Sequence, residues 1–132
     1  MESLPLRLGP GADLRRALEA AFAASGCRAA FAIGGIGSLG RARLRLAGRT
    51  DPDSLSEDLE ILTLAGSLSA DGAHLHMSVA GADGAVRGGH VAYGCIVRTT
   101  VEAVLVLLPG WTFGRAADPA TGHAELVIGR DP

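Results

Sequence analysis

The chain has 132 residues, 48 % of them hydrophobic and 20 % charged, with a formal net charge of −2. That is the make-up of one folded domain with its own apolar core, and it excludes a disordered tail. A pI near 6.0, with no basic run denser than Arg41, Arg43, Arg45 and Arg49, argues against a chain that grips duplex DNA by itself.

Aromatic residues are only 4 %, so the core is expected to be aliphatic. No apolar run reaches the roughly 18 residues of a membrane span. Met1 to Pro5 lacks the basic and apolar segments of a secretory leader. Cys27 and Cys95 form no CxxC. The expectation is a cytoplasmic location with reduced thiols.

In chain order, Leu4-Pro5-Leu6-Arg7-Leu8 alternates as a strand does. After Gly9-Pro10-Gly11, Asp13 is a helix N-cap. Leu14, Ala17, Leu18, Ala21 and Phe22 follow at helical spacing, and Gly26 is placed to end the helix. Ala29 to Ile33 reads as a strand. Gly34 to Ser38 reads as turn-prone, and Arg41 to Leu46 as a strand with one wet face. Residues 48–57 read as a loop. Leu59–Ser69 and Ala73–Ala80 are strands joined by Ala70-Asp71-Gly72, where Asp-Gly is a strong hairpin signal. Val86 to Gly89 leads into Val91 to Val97, and a long strand covers Thr99 to Leu108. Residues 111–121 read as a loop, and Glu125 to Ile128 as a last short strand.

Gly35-Ile36-Gly37-Ser38-Leu39-Gly40 fits GxGxxG literally. A dinucleotide site needs a helix after that motif, with its N-terminus facing the pyrophosphate. Arg41 to Leu46 has period two, so no nucleotide cofactor is expected. The glycines read as a turn or bulge between strands.

The histidines carry the chemistry. His74 and His76 are two apart on a strand, so both imidazoles leave the same face. His90 follows Gly88-Gly89, where the backbone can approach closely. Three imidazoles with an open fourth position suit one divalent transition metal, zinc first, with iron, nickel and copper also compatible. A two-residue Asp71-Gly72 turn would pair His74 with Ser69 and His76 with Ser67. It would set Leu62, Leu64 and Leu68 against Leu75, Met77 and Val79 on the opposite face. The HxH of double-stranded β-helix metalloproteins fits less well, since no Glu follows within a few residues. His123 reads as a surface residue in a terminal loop.

Glu60 and Arg98 are lesser candidates. Glu60, an acid within Leu59-Glu60-Ile61-Leu62, reads as a buried general base, a group supporting a metal ligand, or an edge residue facing solvent; within one chain it lies too far along the strand to reach a metal at His74. Arg98 could hold an anion or be a salt-bridge partner at a subunit contact, the favoured reading because a partly buried arginine is usually paired.

Five segments together resemble the plant-and-prokaryote-conserved (PPC) domain family. They are Leu6 to Leu14, Gly35 to Leu39, Leu59 to Gly66, Asp71 to His76, and Gly88 to His90 followed by Gly94 to Thr100. The resemblance runs from about Leu4 to Ile128. Leu59 stands where the family usually has an aromatic residue. The resemblance implies an α/β (α+β) fold, with a mixed, largely antiparallel sheet, one main flanking helix and assembly as a homotrimer. It also implies metal binding through His74, His76 and His90. Plant members carry the domain after AT-hook motifs, whose Arg-Gly-Arg-Pro-like core is missing here. Two functions follow as expectations. One is a trimeric metal-binding domain acting on or sensing a small molecule. The other is a DNA-associated regulatory module that uses the trimer as a scaffold.

Overall fold

The computed structural model describes residues 1–132. The elements in order are β1 (Glu2–Leu8), α1 (Leu14–Ser25), β2 (Ala30–Arg45), β3 (Asp53–Leu55), β4 (Leu59–Ser69), β5 (Gly72–Ala80), β6 (Val86–Val91), β7 (Ile96–Leu107), β8 (Trp111–Asp118) and β9 (His123–Arg130). Seven strands form one sheet in the order β1-β7-β2-β4-β5-β6, with β3 also on β2. Every strand pairing is antiparallel; the one parallel contact is an isolated bridge between Arg28 and Thr112. No helix is long and apolar enough to cross a membrane.

The 16-residue β2 organises the sheet. Its first part lies between β4 and β7. Its far end pairs with β6 through Leu44↔Val91 and Arg45↔His90. Since β6 also reaches β2 by way of β5 and β4, the sheet curls back on itself. The inner face holds one aliphatic core that includes Leu39, Leu44, Leu64, Leu75 and Val91, all at most 2 % exposed. The helix closes that core with Leu14, Leu18 and Phe22. Asp13 caps it, accepting from the Arg16 amide at 3.2 Å, and also accepts from the Gly94 amide at 2.7 Å. Gly26 ends it at φ 73°. Both cysteines are free thiols, and Cys95 is buried.

Four expectations are corrected. Of the turn or bulge expected at the GxGxxG glycines, the turn is absent and bulge-like irregularity is present: β2 continues through them, with register shifts against β7 between Ala32 and Gly34 and after Gly37. Their smallness serves strand packing, because a Cβ on Gly37 would sit 2.7 Å from the Val101 Cα and one on Gly35 2.8 Å from the Leu64 Cδ2. Tyr93-Gly94 interrupts the expected Val91 to Val97 strand. Residues 111–121 contain a whole strand, β8, which pairs with β9 as a separate ribbon. Residues 48–57 contain the short β3.

The hairpin turn is Ala70-Asp71, one residue earlier than expected, so Ser67 faces His74 and Ala65 faces His76. The shift is an even step in register, so the sorting of faces survives: Leu64, Leu68, Leu75, Met77 and Val79 are buried inside. Leu62 is the exception. A bulge between Ile61 and Thr63 flips it outward, where it is 46 % exposed.

Candidate metal centre

His74 and His76 project from β5, and His90 from β6 stands directly opposite His76 in the ladder. The glycines before His90 are needed for that approach, since a Cβ on Gly89 would lie 2.7 Å from the Arg45 carbonyl oxygen. The three rings meet with centroids 5.0, 4.9 and 5.7 Å apart. One ligand nitrogen from each lies within 4.8 Å of the others. Tetrahedral zinc with bonds near 2.0 Å needs nitrogens about 3.3 Å apart, so small side-chain rotations suffice. The His90 Nδ1 is buried and has no hydrogen-bond partner, an arrangement that costs free energy unless something takes up the nitrogen.

Burial and nearby positive charge favour the neutral form of His74 and His90, the form in which an imidazole binds a metal. The His90 pKa is pushed down to about 4, by burial first and then by His74 and Arg45. That of His74 is lowered by burial and by the Arg115 guanidinium. For His90 the unfolded chain takes up its proton near pH 6.5 and the folded chain only near 4. Between those values the unfolded state binds more protons, so this contribution to stability is complete above pH 6.5 and is lost as pH falls toward 4. Metal-free protein is therefore expected to melt at progressively lower temperature across that window. His90→Gln should flatten the slope, as calorimetry at several pH values would show; equal slopes for both proteins would refute this.

The β8–β9 ribbon covers one side of the site. Phe113 packs edge-on against Phe31 with centroids 5.4 Å apart. The Arg115 amide donates to the Asp71 Oδ2 at 2.9 Å, and its Nη2 donates to the Ser67 Oγ at 2.8 Å and meets the His74 Nδ1 at 3.1 Å. Sequence reasoning missed Arg115, because the ribbon read as a loop. Arg15 reaches the same cleft from α1, held by Glu19 at 3.0 Å. Glu19 also accepts from the Tyr93 hydroxyl at 2.8 Å. His123 is exposed as expected, but it begins β9 and lines this cleft with His74 and His90.

Glu60 and Arg98 are not brought to the histidines. Glu60 is exposed on β4 and faces Ala80, at the far end of the ladder from Ser67↔His74. Arg98 pairs with Asp58 at 3.5 Å.

Fold and site together define an α+β domain with a curled antiparallel sheet and a three-histidine cluster on its outer face. Residues 1–109 match the Plants and Prokaryotes Conserved (PCC) domain, and the chain belongs to that family. It is 50 % identical over 124 residues to the bifunctional protein GlmU of a Synechococcus strain, covering 94 % of this chain but only 20 % of that much longer protein. A hypothetical protein from Salmonella superimposes with TM-score 0.94 at 39 % identity, covering 98 % of this chain and 94 % of its own. A metal-containing protein from Archaeoglobus fulgidus superimposes with TM-score 0.82 at 30 % identity, covering 96 % and 94 %.

Proposed function

We propose that this domain binds one divalent transition metal, zinc first, through His74, His76 and His90, and that it handles or senses a small molecule there. The observation that carries this reading is the convergence of three ligand nitrogens within 4.8 Å on one sheet face. The unpartnered His90 Nδ1 and the metal-containing relative support it. A metal so held supplies Lewis acidity and lowers the pKa of water bound to it. The chain's own part is to aim three imidazoles at one point and to favour the neutral form of His74 and His90.

The reading includes a homotrimer. Phe31, Ile33, Ile36 and Leu62 are 38, 62, 55 and 46 % exposed, and they border the grooves that contain His74 and His76. An exposed apolar patch of this kind marks a contact surface. Light scattering should give three times the 13.4 kDa chain mass, and Ile33→Asp with Ile36→Asp should give monomers. A wild-type monomer would contradict the trimer.

The deciding experiment is elemental analysis of the purified protein beside a DNA mobility assay at several salt concentrations. One equivalent of metal and no DNA shift is the expected result. A shift that weakens steeply with salt, without stoichiometric metal, would favour the second reading, a DNA-associated regulatory module.

A further inference from the structure

The cleft that His74 and His90 open into, about 510 Å³, is walled by cations from three separate elements. Arg15 comes from α1, Arg45 from β2 beside its ladder partner His90, and Arg115 from β8. Of the three, only Arg15 has a carboxylate partner, Glu19. Arg45 donates to the Arg49 carbonyl at 3.2 Å, and Arg115 is satisfied by the neutral Ser67 and His74. The cleft's own acids accept from neutral donors: Asp71 from the Arg115 amide, and Glu125 from the Thr121 hydroxyl at 3.1 Å. With Glu19, these acids balance the three guanidinium groups one for one. A divalent ion on three neutral imidazoles would then bring two positive charges with no counter-charge.

Arg115 sharpens the point. A guanidinium only donates, so the His74 Nδ1 that it faces must present a lone pair. When neutral His74 binds a metal, that lone pair is lost either way. If Nδ1 is the ligand, the metal takes it; if Nε2 is the ligand, Nδ1 carries the proton. Metal binding therefore strips Arg115 of its histidine partner, beside a new cation.

We propose that the cleft takes a small anion bearing a carboxylate or phosphate group, held by the Arg115 and Arg45 guanidinium groups beside the histidine-bound ion. This rests on the metal reading above. Guanidinium forks match both kinds of group bidentately. The anion supplies the missing counter-charge and gives Arg115 a new acceptor. Metal and anion should thus strengthen each other's binding, by the same factor in both directions.

The test is calorimetric titration of zinc-loaded protein with inorganic phosphate and, separately, with malonate, at constant ionic strength. At least one should bind, and the stronger identifies the group recognised. Arg115→Met and Arg45→Met should each weaken that binding about tenfold or more, the loss expected when a charged hydrogen-bond donor is removed. Zinc affinity of the wild type should rise severalfold with that anion present, and the rise should vanish in Arg115→Met. Neither anion binding, with zinc held at one equivalent, would overturn the anion site and leave the metal reading intact. Wild-type binding by both variants would also overturn it. Arginine-dependent anion binding by a protein that holds no zinc would sustain the cleft while the metal reading fell.

Discussion

His74→Ala is expected to leave a folded protein that no longer holds the proposed metal. The side chain stands on the outer face of β5, opposite Ser67, while the packing that holds the strand comes from Leu75, Met77 and Val79 on the inner face. Truncation therefore opens no core cavity, and substitutions away from the core typically shift stability by only about 0.5 kcal/mol. Coordination fares differently. Two imidazoles remain, and His76 is the more exposed of them. Loss of an outer partner of a ligand already weakens metal binding about 10- to 100-fold, so loss of a ligand itself should cost more. Elemental analysis after gel filtration should fall from one equivalent to near none, with far-UV circular dichroism unchanged. A variant that keeps a full equivalent would remove His74 from the ligand set.

The second large effect concerns stability. Gly66→Ala should unfold the domain or nearly so. Gly66 lies in β4 opposite Leu75, where an added Cβ would stand 2.7 Å from the Leu75 Cα and 2.8 Å from the His74 carbonyl carbon. Those are backbone atoms of a central strand and cannot turn aside as a flexible side chain can. Relief requires β4 and β5 to part, just where the first histidine is anchored. A cost of about 3 kcal/mol or more is expected, against a total stability of roughly 5–15 kcal/mol for such domains. Gly9→Ala is the control, since nothing lies within 4 Å of its Cβ position. Urea unfolding should show a large drop in midpoint for the first and little change for the second; similar midpoints would refute the packing argument.

Features that repeat along a short stretch of chain were legible in the sequence. Asp13, the spaced apolar residues and Gly26 marked the helix because a cap, a stripe and a terminator are local signals. The HxH spacing placed two rings on one face because strand periodicity is strict. The hairpin turn was misplaced by one residue, yet the histidine face came out right because an even register step preserves side-chain parity. What the sequence hid depends on distant partners. The glycine run after Ala32 looks like a turn, and only the packing of β4 and β7 on both sides explains it as strand. In β8 only Phe113 is buried, so little hydrophobic alternation marked the ribbon. Arg115 was therefore missed, although it touches the first histidine.

The pairing of β1 with β7 joins Glu2 to Leu107 and Leu8 to Val101. During synthesis the first strand must wait, unpaired, until β7 has been made, after every other strand of the sheet. Contacts so distant in sequence close late and place the domain among slow folders, in the range of milliseconds to seconds. Until then the open flank of β2 offers unpaired amides and carbonyls to any neighbouring nascent chain, so expression yield should respond more to translation speed and chaperone supply than the stability of the finished domain would suggest.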